Sequence, residues 1–270
     1  APHSWGFLFV GGWVNFVYKN SGGIMSGDSF QIAVFETLFL LVSIFAATLL
    51  LGGRVRWIWL VPIPVVAFLG KLILFFGAHG TLGNWIGGNY NWEGKIYSTA
   101  FTLTLIILLF GRDLKQVGLT LSQKGIAPRL GIAITSVTLI ATIVWNALYF
   151  PGVKSEPIID ILYQGSMPSL DEELWFRGLL LAMLVKGFTT NGVIRKDHYG
   201  IFLAAVVVTF QFWAAHSITT NGDWGFIFRA WYNPVAGIYG ALWITVRLAT
   251  GSLILPIILH TVANIVGYFV

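Results

Sequence analysis

The sequence predicts an all-α polytopic membrane protein with about eight transmembrane helices. Composition is the first observation: the chain is 56% hydrophobic, and its mean hydropathy is +0.78. Charge is the second, since only 10% of the 270 residues are charged, whereas a soluble domain carries roughly 25%. The third is the recurrence of long apolar stretches between short polar loops, which is typical of membrane helices.

The chain opens with an apolar, aromatic segment at residues 5–18, interrupted by Gly11 and Gly12. It is short for a span and predicts an interfacial segment instead. The predicted spans are residues 30–51, 57–78, 96–110, 130–150, 168–187, 199–217, 233–249 and 252–270. We expect residues 1–150 to hold the interfacial segment and four spans, and residues 151–270 to form a core of four helices within one membrane domain.

Charge sets the expected orientation and partners. Lys and Arg concentrate in the first, third, fifth and seventh loops, which the positive-inside rule assigns to the cytoplasm. That count includes Arg247, and it places Lys95 among the few outer charges. Both termini and the loops at 83–91 and 221–232 are then expected outside. The net charge of +5 suits cytoplasmic loops and anionic lipid, not nucleic acid. We expect an integral protein of a prokaryotic cell membrane.

Three consecutive acids, Asp171, Glu172 and Glu173, open the fifth predicted span. Ionised carboxylates at membrane depth are costly and indicate a functional site by default. Glu173 and Arg177 stand four apart and can pair on one helix face, whereas Glu172 lies about 100° away and lacks that partner. A capping box from Ser169 to Glu172 is the structural alternative. Capping alone explains neither the third acid nor Arg177.

Two further polar positions lie in apolar helices. His216 closes the sixth span, while His260 and Asn264 stand four apart on one face of the eighth. A single helical histidine is more often a packing residue. Here the topology brings the start of span five and the ends of spans six and eight to one side, so these groups are expected to converge with the acids. Lys71, inside the second span, either snorkels or pairs with an acid such as Glu36, in a structural role.

The polar positions match a known family pattern. The motifs are Glu172-Glu173-x-x-x-Arg177, Phe212-x-x-x-His216 and His260-x-x-x-Asn264, with Phe176-Arg177-Gly178 and Thr250-Gly251-Ser252-Leu253 as flanks. Together they resemble the CPBP intramembrane protease family, which includes the type II CAAX prenyl endopeptidases and the Abi proteins. The resemblance covers about residues 165–270. Any one motif is weak, but three in this order on three membrane helices are specific.

The resemblance implies an endopeptidase whose glutamate and histidine activate a water molecule. Glu172 would be the general base and His216 would orient the water, while Glu173 and Arg177 fix the helix. His260 and Asn264 would donate to the oxyanion. No cofactor is required by this scheme, although Glu172, His216 and His260 are residue types that bind catalytic zinc. We expect a metal-independent mechanism, because the sequence has no His-Glu-x-x-His pair.

Other functions remain open at this point. One is a non-catalytic membrane subunit, such as an immunity or scaffold protein of a membrane complex, that retains the motifs. Another is proton-coupled transport, which also uses buried acids and histidines, although no inverted repeat is visible. For the enzyme we expect a membrane-embedded or lipid-anchored peptide substrate. An outward-facing site favours leader or surface peptides over prenylated cytosolic proteins.

Overall fold

A computed structural model describes residues 27–78, 85–88, 90–111, 113–149, 157–189, 198–229 and 233–269. The helices in chain order are α1 (Gly27–Leu50), α2 (Trp57–Leu60), α3 (Pro62–Ala78), α4 (Trp92–Phe110), α5 (Pro128–Tyr149), α6 (Ile158–Gln164), α7 (Met167–Glu172), a π-helical segment (Glu173–Leu180), α8 (Leu181–Phe188), α9 (His198–Ala215), α10 (Pro234–Thr250) and α11 (Ile254–Ile265). Strands β1 (Ile218–Thr220) and β2 (Phe226–Phe228) form one hairpin. The predicted interfacial segment at 5–18 lies outside the described residues.

The predicted fold class is confirmed as an all-α polytopic membrane protein. Five helical stretches in the described part are long and apolar enough to cross a membrane: Asp28–Leu50, Trp57–Gly77, Trp92–Phe110, Pro128–Tyr149 and His198–Ala215. A shorter apolar stretch, Ile254–Tyr268, joins them. Large apolar side chains such as Val42 and Leu108 point away from the protein. Such extensive apolar exposure requires a lipid environment.

The fifth predicted span differs most from expectation. The run from α7 through the π-helical segment to α8 is almost wholly buried, so it is the centre of the bundle and not a lipid-facing span. Helices α4, α9 and α11 all pack against it. The short helix α6 precedes it, where the sequence predicted only a connection. A π-helical turn accommodates one extra residue and is common at functional sites.

Two charges that the sequence places in loops are buried in helices. Lys95 lies in the first turns of α4, because Asn91 caps that helix four residues earlier and accepts a hydrogen bond from the Gly94 amide. Arg247 lies in the last turn of α10, where its guanidinium donates to the carbonyls of Gln116 and Arg177. Neither residue therefore belongs in the loop-charge count. The remaining Lys and Arg still favour the same loops.

Helices α3 and α4 are in close contact at Gly77 and Gly94. A Cβ added to Gly77 would lie 2.1 Å from the Gly94 amide nitrogen, so the two backbones touch. At Gly70, two turns earlier on the same face of α3, an added Cβ would meet only the Phe101 ring at an ordinary 3.6 Å. Close backbone contact between small residues is a common way for membrane helices to pack.

We expect Gly77→Ala to lower stability by roughly 1–3 kcal/mol, because α3 and α4 must separate to admit the methyl group. Thermal unfolding of the purified protein in detergent measures the effect. Gly70→Ala is the matched control, since it adds the same methyl group to the same helix where space exists. Equal midpoints for Gly77→Ala and wild type would contradict this packing.

Candidate active site

The acids and histidines of the three motifs meet between α7, the end of α9 and α11. Glu172 Oε2 lies 3.5 Å from Nε2 of His216 and 3.9 Å from Nε2 of His260. Glu173 Oε1 lies 2.9 Å from both Nδ1 of His260 and Nη1 of Arg177. The structure thus brings these five side chains together, as the shared depth of the predicted spans suggested.

Glu173 and its partners form a closed cluster in the core. The side chains of Glu173, Arg177 and His260 have 0% exposure. The guanidinium of Arg177 also lies 4.1 Å from the centroid of the Phe212 ring, a cation–π contact. The ring of His260 stacks on Trp243 with centroids 4.2 Å apart. Arg177 and His260, the two partners of the Glu173 carboxylate, are therefore held in place by aromatic side chains of α9 and α10.

Two capping turns set the positions of the histidines. His216 follows α9, and its carbonyl accepts a hydrogen bond from Asn233, whose side chain also caps α10. Before α11, Gly251 adopts a left-handed conformation with φ of 77°, and Ser252 Oγ accepts from the Ile254 amide. A positive φ of this kind favours glycine, which accounts for Gly251 between the two helices.

Hydrogen-bond partners define the tautomer of His216. Its Nδ1 lies 2.7 Å from the Phe212 carbonyl, which can only accept, so Nδ1 carries the proton. In the neutral ring, Nε2 then presents a lone pair to Glu172 Oε2. The Glu172 oxygen and the His216 nitrogen are then two acceptors 3.5 Å apart, which repel each other unless a donor bridges them. A water molecule at about 2.8 Å from each atom fits this requirement.

The same reasoning restricts His260. Its Nδ1 faces the Glu173 carboxylate and therefore carries a proton. Its Nε2 is buried without a hydrogen-bond partner among the described residues. Nε2 can therefore donate to an oxyanion only when both ring nitrogens carry protons.

Asn264 stands apart from this cluster. Its amide nitrogen donates a long 3.4 Å hydrogen bond to the Gln164 carbonyl at the end of α6. Its Oδ1 is buried and finds no hydrogen-bond partner in the described part of the chain. The structure therefore places Asn264 one turn beyond His260, on the expected face, with its donor weakly engaged elsewhere.

The metal alternative has little support from the side-chain arrangement. Within the described ranges, no group of three or more His, Cys, Asp or Glu side chains is arranged to hold a metal ion. One of the two Glu172 carboxylate oxygens is already engaged, because Oε1 contacts the Lys95 ammonium at 2.9 Å. A metal-independent mechanism stays a prediction, and the proposed reaction uses no metal ion.

A cavity of about 150 Å³ adjoins Glu172 and His216. Helices α1, α3 and α4 of the N-terminal half form much of its wall. Two ion pairs lie on that wall: Lys71 contacts Glu36 at 3.0 Å, and Lys95 contacts both Asp171 and Glu172 at 2.9 Å. Lys71 thus pairs with Glu36, which was one of the two expectations for it.

Sequence reasoning missed Lys95 and left Asp171 without a role. The missed signal lay in Asn91, an N-cap residue type four positions before Lys95 and followed by Glu93 in the first turn. Starting the third span there, and not at residue 96, would have placed Lys95 inside a helix.

A comparison with protein families agrees with this geometry. Residues 154–266 match the sequence model of the type II CAAX prenyl endopeptidase Rce1-like family. The predicted resemblance to the CAAX proteases is thereby confirmed. Rce1-like proteins are a family of CAAX-type intramembrane proteases, and all three motifs lie within the matched residues. No curated protein and no solved structure matches the chain.

The two adjacent glutamates should respond differently to neutralisation. We expect Glu173→Gln to lower stability by roughly 3–5 kcal/mol, because it leaves the buried Arg177 without its counter-ion. Glu172→Gln should cost much less, since Lys95 keeps Asp171 as a partner. Thermal unfolding in detergent compares them, and each variant is the matched control for the other. Equal losses would contradict the division of roles.

Proposed function

We propose that this protein is an intramembrane endopeptidase that hydrolyses a peptide bond in a membrane-embedded or lipid-anchored substrate. The observation that carries the proposal is the opposition of Glu172 Oε2 and His216 Nε2, 3.5 Å apart at the edge of a cavity. A donor with two hydrogens can bridge two acceptors at this distance, and a water molecule is such a donor. The match of residues 154–266 to the model of a protease family supports the same reaction.

The first step is attack by this water. Glu172 takes one proton while the water oxygen forms a bond to the carbonyl carbon of the scissile peptide, and the carbonyl oxygen becomes an oxyanion. His216 Nε2 accepts the second hydrogen as a hydrogen bond and so orients the water. In the second step the carbon–nitrogen bond breaks, and the proton from Glu172 passes to the leaving nitrogen. The products are a carboxylic acid and an amine.

The oxyanion requires donors beside the water. His260, as an imidazolium, presents Nε2–H on the same side of Glu172, 3.9 Å from its Oε2. Asn264 supplies a second donor if substrate replaces its long bond to Gln164. Donors of this kind are worth about 3 kcal/mol each in the transition state. Glu173 and Arg177 do not touch the reacting atoms in this scheme, and they act as positioning residues.

Glu172→Gln should lower turnover by about 10²-fold or more, because the amide keeps the size of the side chain but cannot accept the proton. The assay uses the full chain in lipid vesicles with internally quenched peptides of two kinds. One kind ends in a farnesylated CAAX sequence, and the other is an unprenylated membrane-spanning peptide.

Glu93→Gln is the matched control. Glu93 is also a buried glutamate, but its carboxylate accepts from the Ile86 amide outside the site, a bond that glutamine can preserve. The control should retain wild-type turnover. If Glu172→Gln cleaves as fast as wild type at equal abundance, catalysis is not this protein's role, and the reading as a non-catalytic membrane subunit takes its place.

Orientation decides between the two peptide classes. The β1–β2 hairpin directly follows His216, so a label at its turn reports the side on which the site opens. We expect a cysteine at Asn221 to react with a membrane-impermeant maleimide from outside the cell. The chain contains no cysteine, so the background is clean. Labelling only from the cytoplasmic side would reverse the orientation and make the farnesylated peptide the expected substrate.

A further inference from the structure

We infer that Lys95 is a positioning residue that orients the Glu172 carboxylate for catalysis. The inference rests on the proposed function, because it assigns Glu172 to the reaction. The Lys95 ammonium contacts Glu172 Oε1 at 2.9 Å, while Oε2 is left facing the two histidines. One oxygen is thus held and the other is presented. Without this contact, the carboxylate could rotate about its side-chain bonds and exchange the positions of its two oxygens.

The ammonium is itself firmly placed. Lys95 is 4% exposed and lies near the start of α4, whose N-terminus is fixed by the Asn91 cap. Asn91 also donates to the Leu74 carbonyl of α3, which ties this end of α4 to its neighbour. Asp171 Oδ2 accepts a second contact from the Lys95 ammonium at 2.9 Å. Two carboxylates and a rigid helix start therefore define where the ammonium lies.

The second carboxylate also balances charge during the reaction. While Glu172 is ionised, Lys95 faces two acids. When Glu172 holds the proton from water, Lys95 still has Asp171, so no uncompensated cation is left in the core. A lysine paired with Glu172 alone would oppose that proton transfer. Lys95, His216 and His260 face Glu172 directly. Asp171 contacts the same ammonium, while Arg177 and Glu36 are charged groups at longer range.

Lys95 lies outside the family-matched residues. The match covers 154–266, whereas α4 belongs to the N-terminal half. The three motifs therefore do not complete the site in this chain. A helix from residues 1–150 supplies the contact that fixes the proposed base.

The test compares Lys95→Met, Lys95→Arg and Lys71→Met in the full chain, using the quenched peptide that wild type cleaves. Methionine fills similar space without charge, so Lys95→Met should lower kcat by about 10²-fold, as expected for a misplaced reacting group, with KM within about twofold of wild type. Lys95→Arg keeps the cation and should recover part of kcat. Lys71→Met removes the cation of the other ion pair on the cavity wall and controls for the loss of a paired lysine there.

A spectroscopic measurement requires no turnover. The infrared carboxylate stretch of Glu172 is isolated as the difference between wild type and Glu172→Gln. That band should shift in Lys95→Met, because the ammonium no longer polarises one oxygen, and stay in place in Lys71→Met. If wild type cleaves no peptide, the proposed function fails, whereas the band still tests the contact between Lys95 and Glu172.

Wild-type kcat in Lys95→Met would overturn the inference, as would a fall in kcat of the same size in Lys71→Met. An unshifted Glu172 band in Lys95→Met would also overturn it. If Lys95→Met does not fold, Asp171→Asn replaces it, since the ammonium then faces Glu172 alone. Turnover should fall in that variant with KM little changed, and unchanged turnover would contradict the charge-balance argument.

Discussion

The structure depends on the compensation of charge in a protein core that is itself surrounded by lipid. Glu173 is fully buried, and its carboxylate is stabilised by Arg177 on its own helical run and His260 on α11. Breaking such a pair leaves a buried charge, which costs far more than a surface ion pair contributes. The cluster therefore fixes α11 against the central helix. Glu172 is one residue earlier, so the same fixed backbone also sets the direction in which its side chain points.

The neighbouring glutamates divide two tasks because they face different surroundings. Glu173 points into the protein, where one oxygen contacts two cationic or donor groups. Glu172 points toward the cavity; its side chain is 13% exposed and keeps one oxygen facing His216 and His260. The two contacts on Oε1 and the complete burial of the side chain are what a structural role for Glu173 requires. In the proposed reaction, the Glu172 oxygen that faces the cavity is the one that accepts a proton from the water molecule.

Hydropathy and motif spacing predicted much of this architecture. Apolar run length located the long helices, since a bilayer requires about 20 apolar residues per helix. Helical periodicity also predicted the pairing of Glu173 with Arg177, which is local in sequence. The missed features depend on tertiary contacts. Lys95 reaches Glu172 only because α4, which is tied to α3, packs against α7, and no local pattern in the sequence encodes that contact. The π-helical turn has no residue signature either.

The missed lysine shows how hydropathy misleads at the ends of membrane helices. Hydropathy ends a span at the first charged residue, and it therefore assigns Lys95 to the end of an outer loop. At a functional site, a charged residue can instead lie inside a membrane helix. A buried carboxylate such as Glu172 requires a cation within reach, and a cation placed one turn inside a neighbouring helix can meet it at depth. An apparently unpaired acid in one membrane helix is therefore a reason to search for a buried base near the ends of the others.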